Sequence, residues 1–138
     1  MPKVLMTSEP LCRPDGPYVS PLRAAGFEIA YPPRVPLTQE DEVIESLQGA
    51  TAVIAGNEPY SERVLASLPE LQIVSRCGVG LDQVDLEAAR RLGVAVAITP
   101  DGNHEAVAEH TMALLLALTR SIVRNDREVR RGLWGKTT

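Results

Sequence analysis

The sequence predicts an α/β fold: a doubly wound, parallel, five-stranded sheet in the order 2-1-3-4-5, followed by a long C-terminal helix. Two observations point to it. Short apolar or β-branched runs without polar alternation recur five times, as strands covered on both faces should. Stretches of helical composition, each with its own start and stop residues, separate these runs. Strand alternating with helix at this spacing specifies parallel strands joined by right-handed crossovers. A chain of 138 residues has room for one compact domain with a real core and is short for two.

The elements follow in order. "KVLMT" (3–7), "EIAY" (28–31), "AVIAG" (52–56), "QIVSR" (72–76) and "VAVAIT" (94–99) are the five strands. Helices are expected over 18–25, 38–49, 61–69 and 85–93. Thr38 and Ser61 supply hydroxyl caps at helix starts, and Gly26, Gly49 and Gly93 stop helices where the chain must turn left-handed. After the fifth strand, "TPDGN" makes a turn, and 104–131 reads as one helix. Val107, Leu114, Leu118 and Ile122 form one apolar stripe along it, with Ala108, Met112, Leu115 and Val123 beside it. This stripe is wider than the arc one sheet face needs. The helix is therefore expected to pack with the same single domain and to support a homodimer with its surplus apolar surface.

Charge and composition exclude several classes. The net charge is -4, with the basic residues concentrated in "RSIVRNDREVRRGLWGK" (120–136). That end lacks interleaved aromatics and belongs to an acidic chain, so it reads as a solvated helix end rather than a nucleic-acid surface. The longest apolar run, "MALLLAL" (112–118), is far short of the roughly 20 residues a membrane span needs. The N-terminus has no secretory pattern, which makes a cytoplasmic location the expectation. Cys12 and Cys77 are too few for a disulfide framework or a four-ligand zinc site.

Doubly wound sheets bind ligands outside the carboxyl ends of their strands, here the loops after residues 7, 56, 76 and 99. The first and third of the sheet's strands lack, at their ends, the acidic residues of a phosphoacceptor site. "TSEPLCRPDG" has prolines where a phosphate loop needs free N–H donors. The loop after strand four, "RCGVGLDQVD" (76–85), carries more information. Gly78 and Gly80 let the backbone approach a ligand closely, and successive N–H groups in such a turn form a concave site for an anion. Plain turn glycines are the competing reading. It is not a dinucleotide fingerprint, because the third glycine of G-x-G-x-x-G would fall at Gln83.

Over residues 76–120 a glycine loop, V-D-x-x-A-A, G-x-x-V, T-P-x-x-N and V-A-E-H follow one another. This order and spacing closely resemble the NAD-dependent D-2-hydroxyacid dehydrogenases, particularly their D-3-phosphoglycerate dehydrogenase-like members. The resemblance runs from the first strand to Trp134. It implies a flavodoxin-like substrate-binding domain over 1–102 and an interdomain-type helix and tail over 103–138. It also implies that Gly78, Val79 and Gly80 form the loop for the substrate carboxylate, with the N–H groups of Val79 and Gly80 as donors. Asn103 would stand beside substrate and nicotinamide, and Val107 against the cofactor; as structure alone, these two are a helix N-cap and an aliphatic of the first turn. The histidine acid/base, its carboxylate partner and the substrate-clamping arginine of the family lie in a Rossmann domain, and no residue here matches them. His104 and His110 would break the register of the motif, and Cys77 has no histidine base in its loop. The expectation is thus the substrate-binding half of a 2-hydroxyacid oxidoreductase, inactive alone. NAD would belong to the full-length parent, none would bind this chain, and a small 2-hydroxy or 2-oxo acid would bind weakly. The alternative is a non-enzymatic binding or dimerisation module of the same fold.

Overall fold

The computed structural model describes residues 1–135, so the last three residues of the expected tail lie outside the described residues. The chain divides into two compact units, Met1–Gly102 and a second that begins at Asn103.

The first unit is a five-stranded parallel sheet in the order β2-β1-β3-β4-β5. Its strands are β1 (Lys3–Met6), β2 (Glu28–Ala30), β3 (Ala52–Ala55), β4 (Ile73–Arg76) and β5 (Ala95–Ala97). Between them run α1 (Val19–Ala24), α2 (Glu40–Leu47), α3 (Glu62–Ala66) and α4 (Leu86–Leu92), and Glu9–Leu11 forms a 3-10 turn after β1. The expected order of strands and helices is present, each element trimmed by one to a few residues at its ends.

Local chemistry explains most boundaries. Ser61 and Asp85 cap α3 and α4 by accepting from the N–H groups of Val64 (3.4 Å) and Ala88 (2.9 Å). Gly26, Gly49 and Gly93 turn left-handed beyond the helices they end, with φ of 84°, 69° and 75°. Thr38 is not the cap of α2. Gln39 takes that place in a capping box with Glu42, whose Oε2 accepts from the N–H groups of both Thr38 and Gln39. The glutamate three positions after the cap decides the start, because it satisfies two backbone donors where a threonine hydroxyl satisfies one.

The sheet is not equally covered on its two faces. β1 is buried on both sides at Val4, Leu5 and Met6, whereas β3 and β4 alternate. Val53, Ala55 and Val74 are fully buried in a core shared with Val43 and Leu47 of α2, Val64 of α3 and Ala88 of α4. Ala52, Ile54, Ile73 and Ser75 on the opposite face are only half-buried. The even apolar runs predicted two covered faces. The two-residue period of a strand, with three helices on one side, produces one dry face and one half-dry face.

The second unit corrects the expectation of one long helix. It contains α5 (His104–Thr119) and α6 (Ile122–Arg130), bent by 61° relative to one another. Ser121, at φ 50° and ψ 36°, breaks the run. Polar side chains take carbonyls on both sides of it: Thr119 Oγ1 donates to Leu116 O (3.1 Å) and Asn125 Nδ2 to Arg120 O (3.2 Å). Such local bonds offer the backbone an alternative to the helical ladder. Glu128 then pairs with Arg124, and Asp126 with Arg130, one turn apart along α6. Leu114, Leu115, Leu118, Ile122 and Val123 are each more than half exposed. Among the described residues no single helix is long and apolar enough to cross a membrane.

Candidate functional site

Register decides what gathers at the carboxyl edge of the sheet. Ala55 pairs with Arg76, so the loops that leave β3 and β4 start side by side. Cys77 N–H donates to Ala55 O (2.8 Å), while the N–H groups of Thr7 and Ser8 both donate to Ile54 O (3.0 and 3.2 Å). Three loops, after β1, β3 and β4, are thus anchored on the end of the central strand. Further out, an isolated parallel bridge joins Tyr60 to Val84, through Tyr60 N–H to Gln83 O (2.7 Å) and Asp85 N–H to Tyr60 O (2.9 Å).

Within this frame the 78–80 loop has one donor consumed and two left open. Gly78 N–H donates to Thr99 Oγ1 (2.7 Å), and the same hydroxyl donates to Arg76 O (2.9 Å). Thr99 N–H returns to Gly78 O (3.1 Å). Thr99 therefore pins the start of the loop to the end of β5. The N–H groups of Val79 and Gly80 have no partner among the described residues, and the Val79 side chain is 48% exposed. Two adjacent free donors on a backbone without side-chain bulk at Gly78 and Gly80 make a place where an anion can be bound.

Behind the loop lies a buried polar cluster. Arg76 follows the parity of Val74 and turns inward, leaving it 5% exposed. Its Nη2 donates to Asn57 Oδ1 (3.0 Å) and lies 3.6 Å from where a Cβ at Gly78 would stand. Its Nε and Nη1 are buried without partners, as are Glu58 Oε2 and the Tyr60 hydroxyl. Burial, followed by the charge of Glu58, pushes the Tyr60 phenol well above its ordinary pKa of 10.0. Cys12 is raised in the same way, first by burial and then by Glu58 and Glu9. Cys12 and Cys77 are both free thiols. In front of the cluster is a cavity of about 310 Å³ walled by the ends of β1, β3 and β4.

Of the sequence-predicted residues, Gly78, Val79 and Gly80 fall together in this loop. Asn103 and Val107 belong to the second unit. Asn103 stands at the N-cap position of α5, but its side chain makes no capping bond; its carbonyl accepts from Val107 N–H (2.9 Å). Val107 is 55% exposed. Sequence reasoning missed Thr99, Tyr60 and Arg76. Counting positions along "QIVSR" would have revealed Arg76, since it shares the parity of the buried Val74. Nothing local marks Thr99, whose partners lie 21 and 23 residues away. Among the described residues no group of His, Cys, Asp and Glu is arranged to hold a metal ion.

Strand order and the loops at the carboxyl edge define a doubly wound α/β domain whose ligand side is built from three anchored loops. Residues 4–132 match the catalytic-domain model of the D-isomer specific 2-hydroxyacid dehydrogenases, and the chain belongs to that family. It is similar to the D-3-phosphoglycerate dehydrogenase of Archaeoglobus fulgidus, at 32% identity over 82% of this chain and 21% of that protein. Against the D-3-phosphoglycerate dehydrogenase of Mycobacterium leprae it is 47% identical over 54% of this chain and 14% of that one. Among solved structures, the TT0316 protein of Thermus thermophilus superposes with a TM-score of 0.81 at 33% identity, over 99% of this chain and 42% of the other. The D-lactate dehydrogenase of Aquifex aeolicus, complexed with NAD and lactic acid, gives 0.75 at 28% identity, covering 98% and 39%. The chain thus spans about a fifth or less of the length of these two curated relatives and about two fifths of the solved ones.

Proposed function

We propose that the 78–80 loop receives the carboxylate of a small 2-hydroxy or 2-oxo acid through the N–H groups of Val79 and Gly80. The chain is then the substrate-binding part of an NAD-linked 2-hydroxyacid oxidoreductase. The observation that carries this reading is the division of donors in the loop: Gly78 N–H is spent on Thr99, and the next two are open at the ligand edge of the sheet. Two backbone donors hold a carboxylate weakly, in the millimolar range, without a second wall to exclude water.

The residues of this chain do not fit a dinucleotide. The glycine loop has Gln83 where a phosphate turn needs its third glycine, and the cavity that begins at Cys77 is lined by Glu9 and Glu58 with no cation, which opposes a pyrophosphate. No hydride step is therefore assigned to these residues. In the reading proposed here NAD acts in the full-length parent, where Asn103 borders the substrate and Val107 the nicotinamide, the protein is cytoplasmic, and the helices from His104 onward serve a homodimer. The chain alone is inactive.

Titrating glycolate into the isotopically labelled chain tests the loop. The Val79 and Gly80 amides should show the largest shifts, saturating in the millimolar range. Largest shifts at any other loop would overturn the assignment. NADH should show no saturable binding below about 10 µM.

A further inference from the structure

The open donors of the glycine loop have an unfavourable neighbour. Asp82 is exposed, and its Oδ1 comes 2.9 Å from where a Cβ at Gly80 would stand. Two N–H groups beside a carboxylate favour a neutral ligand over an anion unless a positive charge lies close by. Arg76 supplies that charge from beneath. Its guanidinium is sealed at 5% exposure, and its Nη2 is tied to Asn57 Oδ1 at 3.0 Å and stands 3.6 Å from the Cβ position of Gly78. Its Nε and Nη1 are closed to solvent and have no partner. A guanidinium stays ionised throughout the pH range in which a protein is folded. Buried, it is screened far less than a surface charge, so it reaches the loop through its field and not by contact.

Glu58, 2% exposed, is the counter-charge, and it lies toward the other end of the cluster. Its Oε1 is 3.1 Å from the Cβ position of Gly56, and its charge bears on Cys12 in the loop after β1. The Tyr60 hydroxyl feels both groups, in opposite senses. Pairing of Ala55 with Arg76 sets the two loops side by side. The buried charges therefore form a dipole across the ends of β3 and β4, negative toward Gly56 and positive toward Gly78.

We propose that Arg76 is a positioning residue for the carboxylate in the 78–80 loop. Fixed by Asn57 and out of contact with the ligand, its buried charge makes the N–H groups of Val79 and Gly80 prefer an anion. This rests on the carboxylate reading above, and it fails separately from it.

Glycolate and its neutral amide, glycolamide, differ in charge at nearly constant shape. The ratio of their affinities for the labelled 138-residue chain, read at the Val79 and Gly80 amides, measures the preference for an anion. Wild type should favour glycolate. That preference should survive about 0.5 M NaCl, which screens the exposed Asp82 far more than a sealed guanidinium. Arg76→Met alone leaves Glu58 buried without a counter-charge, so the variant to use is Arg76→Met with Glu58→Gln, which removes both charges at similar volume. In it the glycolate-to-glycolamide ratio should fall about fivefold, the order a unit charge supplies at the effective dielectric of a protein. Hydrogen exchange at the Gly78 amide should stay at the wild-type rate, and Arg76→Lys should keep most of the ratio. An unchanged ratio in the double variant means that the two charges cancel at the loop, and an equal loss of both ligands means a purely structural role; either overturns the proposal. So does a wild-type preference that is absent or vanishes in salt, a result that needs no variant. If the Val79 and Gly80 amides move with neither ligand, the carboxylate reading itself fails and takes this inference with it.

Discussion

Thr99→Val is the substitution that isolates what holds the glycine loop in shape. It keeps the β-branched volume and the Thr99 N–H bond to Gly78 O, and removes only the hydroxyl that accepts from Gly78 N–H at 2.7 Å and donates to Arg76 O at 2.9 Å. Each such bond contributes roughly 0.5–1.5 kcal/mol net. Thr99 is exposed, so water replaces part of what is lost and the low end applies to both. The sum is about 1 kcal/mol of loop-opening free energy, or about a fivefold change in an equilibrium. Hydrogen exchange at the Gly78 amide reads this directly. It should quicken about fivefold in Thr99→Val and stay near the wild-type rate in Thr99→Ser, which keeps the hydroxyl. The amides in the core of β3, such as Val53, should be unaffected. A Gly78 amide that exchanges at the wild-type rate in Thr99→Val would refute the idea that this hydroxyl pins the loop.

Two further outcomes follow from buried groups nearby. Burial raises the Tyr60 pKa above 10.0, so the folded chain keeps a proton that the unfolded chain releases; the stability from this group is complete below pH 10 and is lost as pH rises through the folded value. Tyr60→Phe should therefore unfold less readily than wild type above pH 10, while neutral-pH denaturation should show little loss, because the hydroxyl removed has no partner. Cys77 is exposed, whereas the thiol of Cys12 donates to Met6 O (3.0 Å) and has a raised pKa. Iodoacetamide at pH 8 should accordingly label Cys77 first, as peptide mapping would record, and preferential labelling of Cys12 would contradict the assigned burial.

Much of this protein is local and therefore written in its sequence. The five strands, their order and the helix ends at Gly26, Gly49 and Gly93 follow from apolar runs and from the backbone freedom of single residues. The 76–85 loop was legible too, since two glycines at the end of an apolar run mark a bare backbone wherever the strand lies. Where two local signals compete, the sequence is a poorer guide. Thr38 and Gln39 both offer a start for α2, and the geometry of Glu42 chooses between them. The break at Ser121 has no glycine or proline to announce it, and side-chain bonds from Thr119 and Asn125 make it. Other features exist only once distant segments meet. The Gly78 N–H is consumed by a threonine 21 residues on, which is what leaves Val79 and Gly80 as the open donors. In sequence, Tyr60 and Arg76 are no more than a tyrosine and an arginine. Strand register sets Ala55 beside Arg76, and the inward parity of β4 buries the guanidinium under the same loops as Glu58. Burial then turns ordinary surface chemistry into unsatisfied polar groups sealed from water, because the energy of a polar atom depends on what surrounds it and only the folded chain determines that.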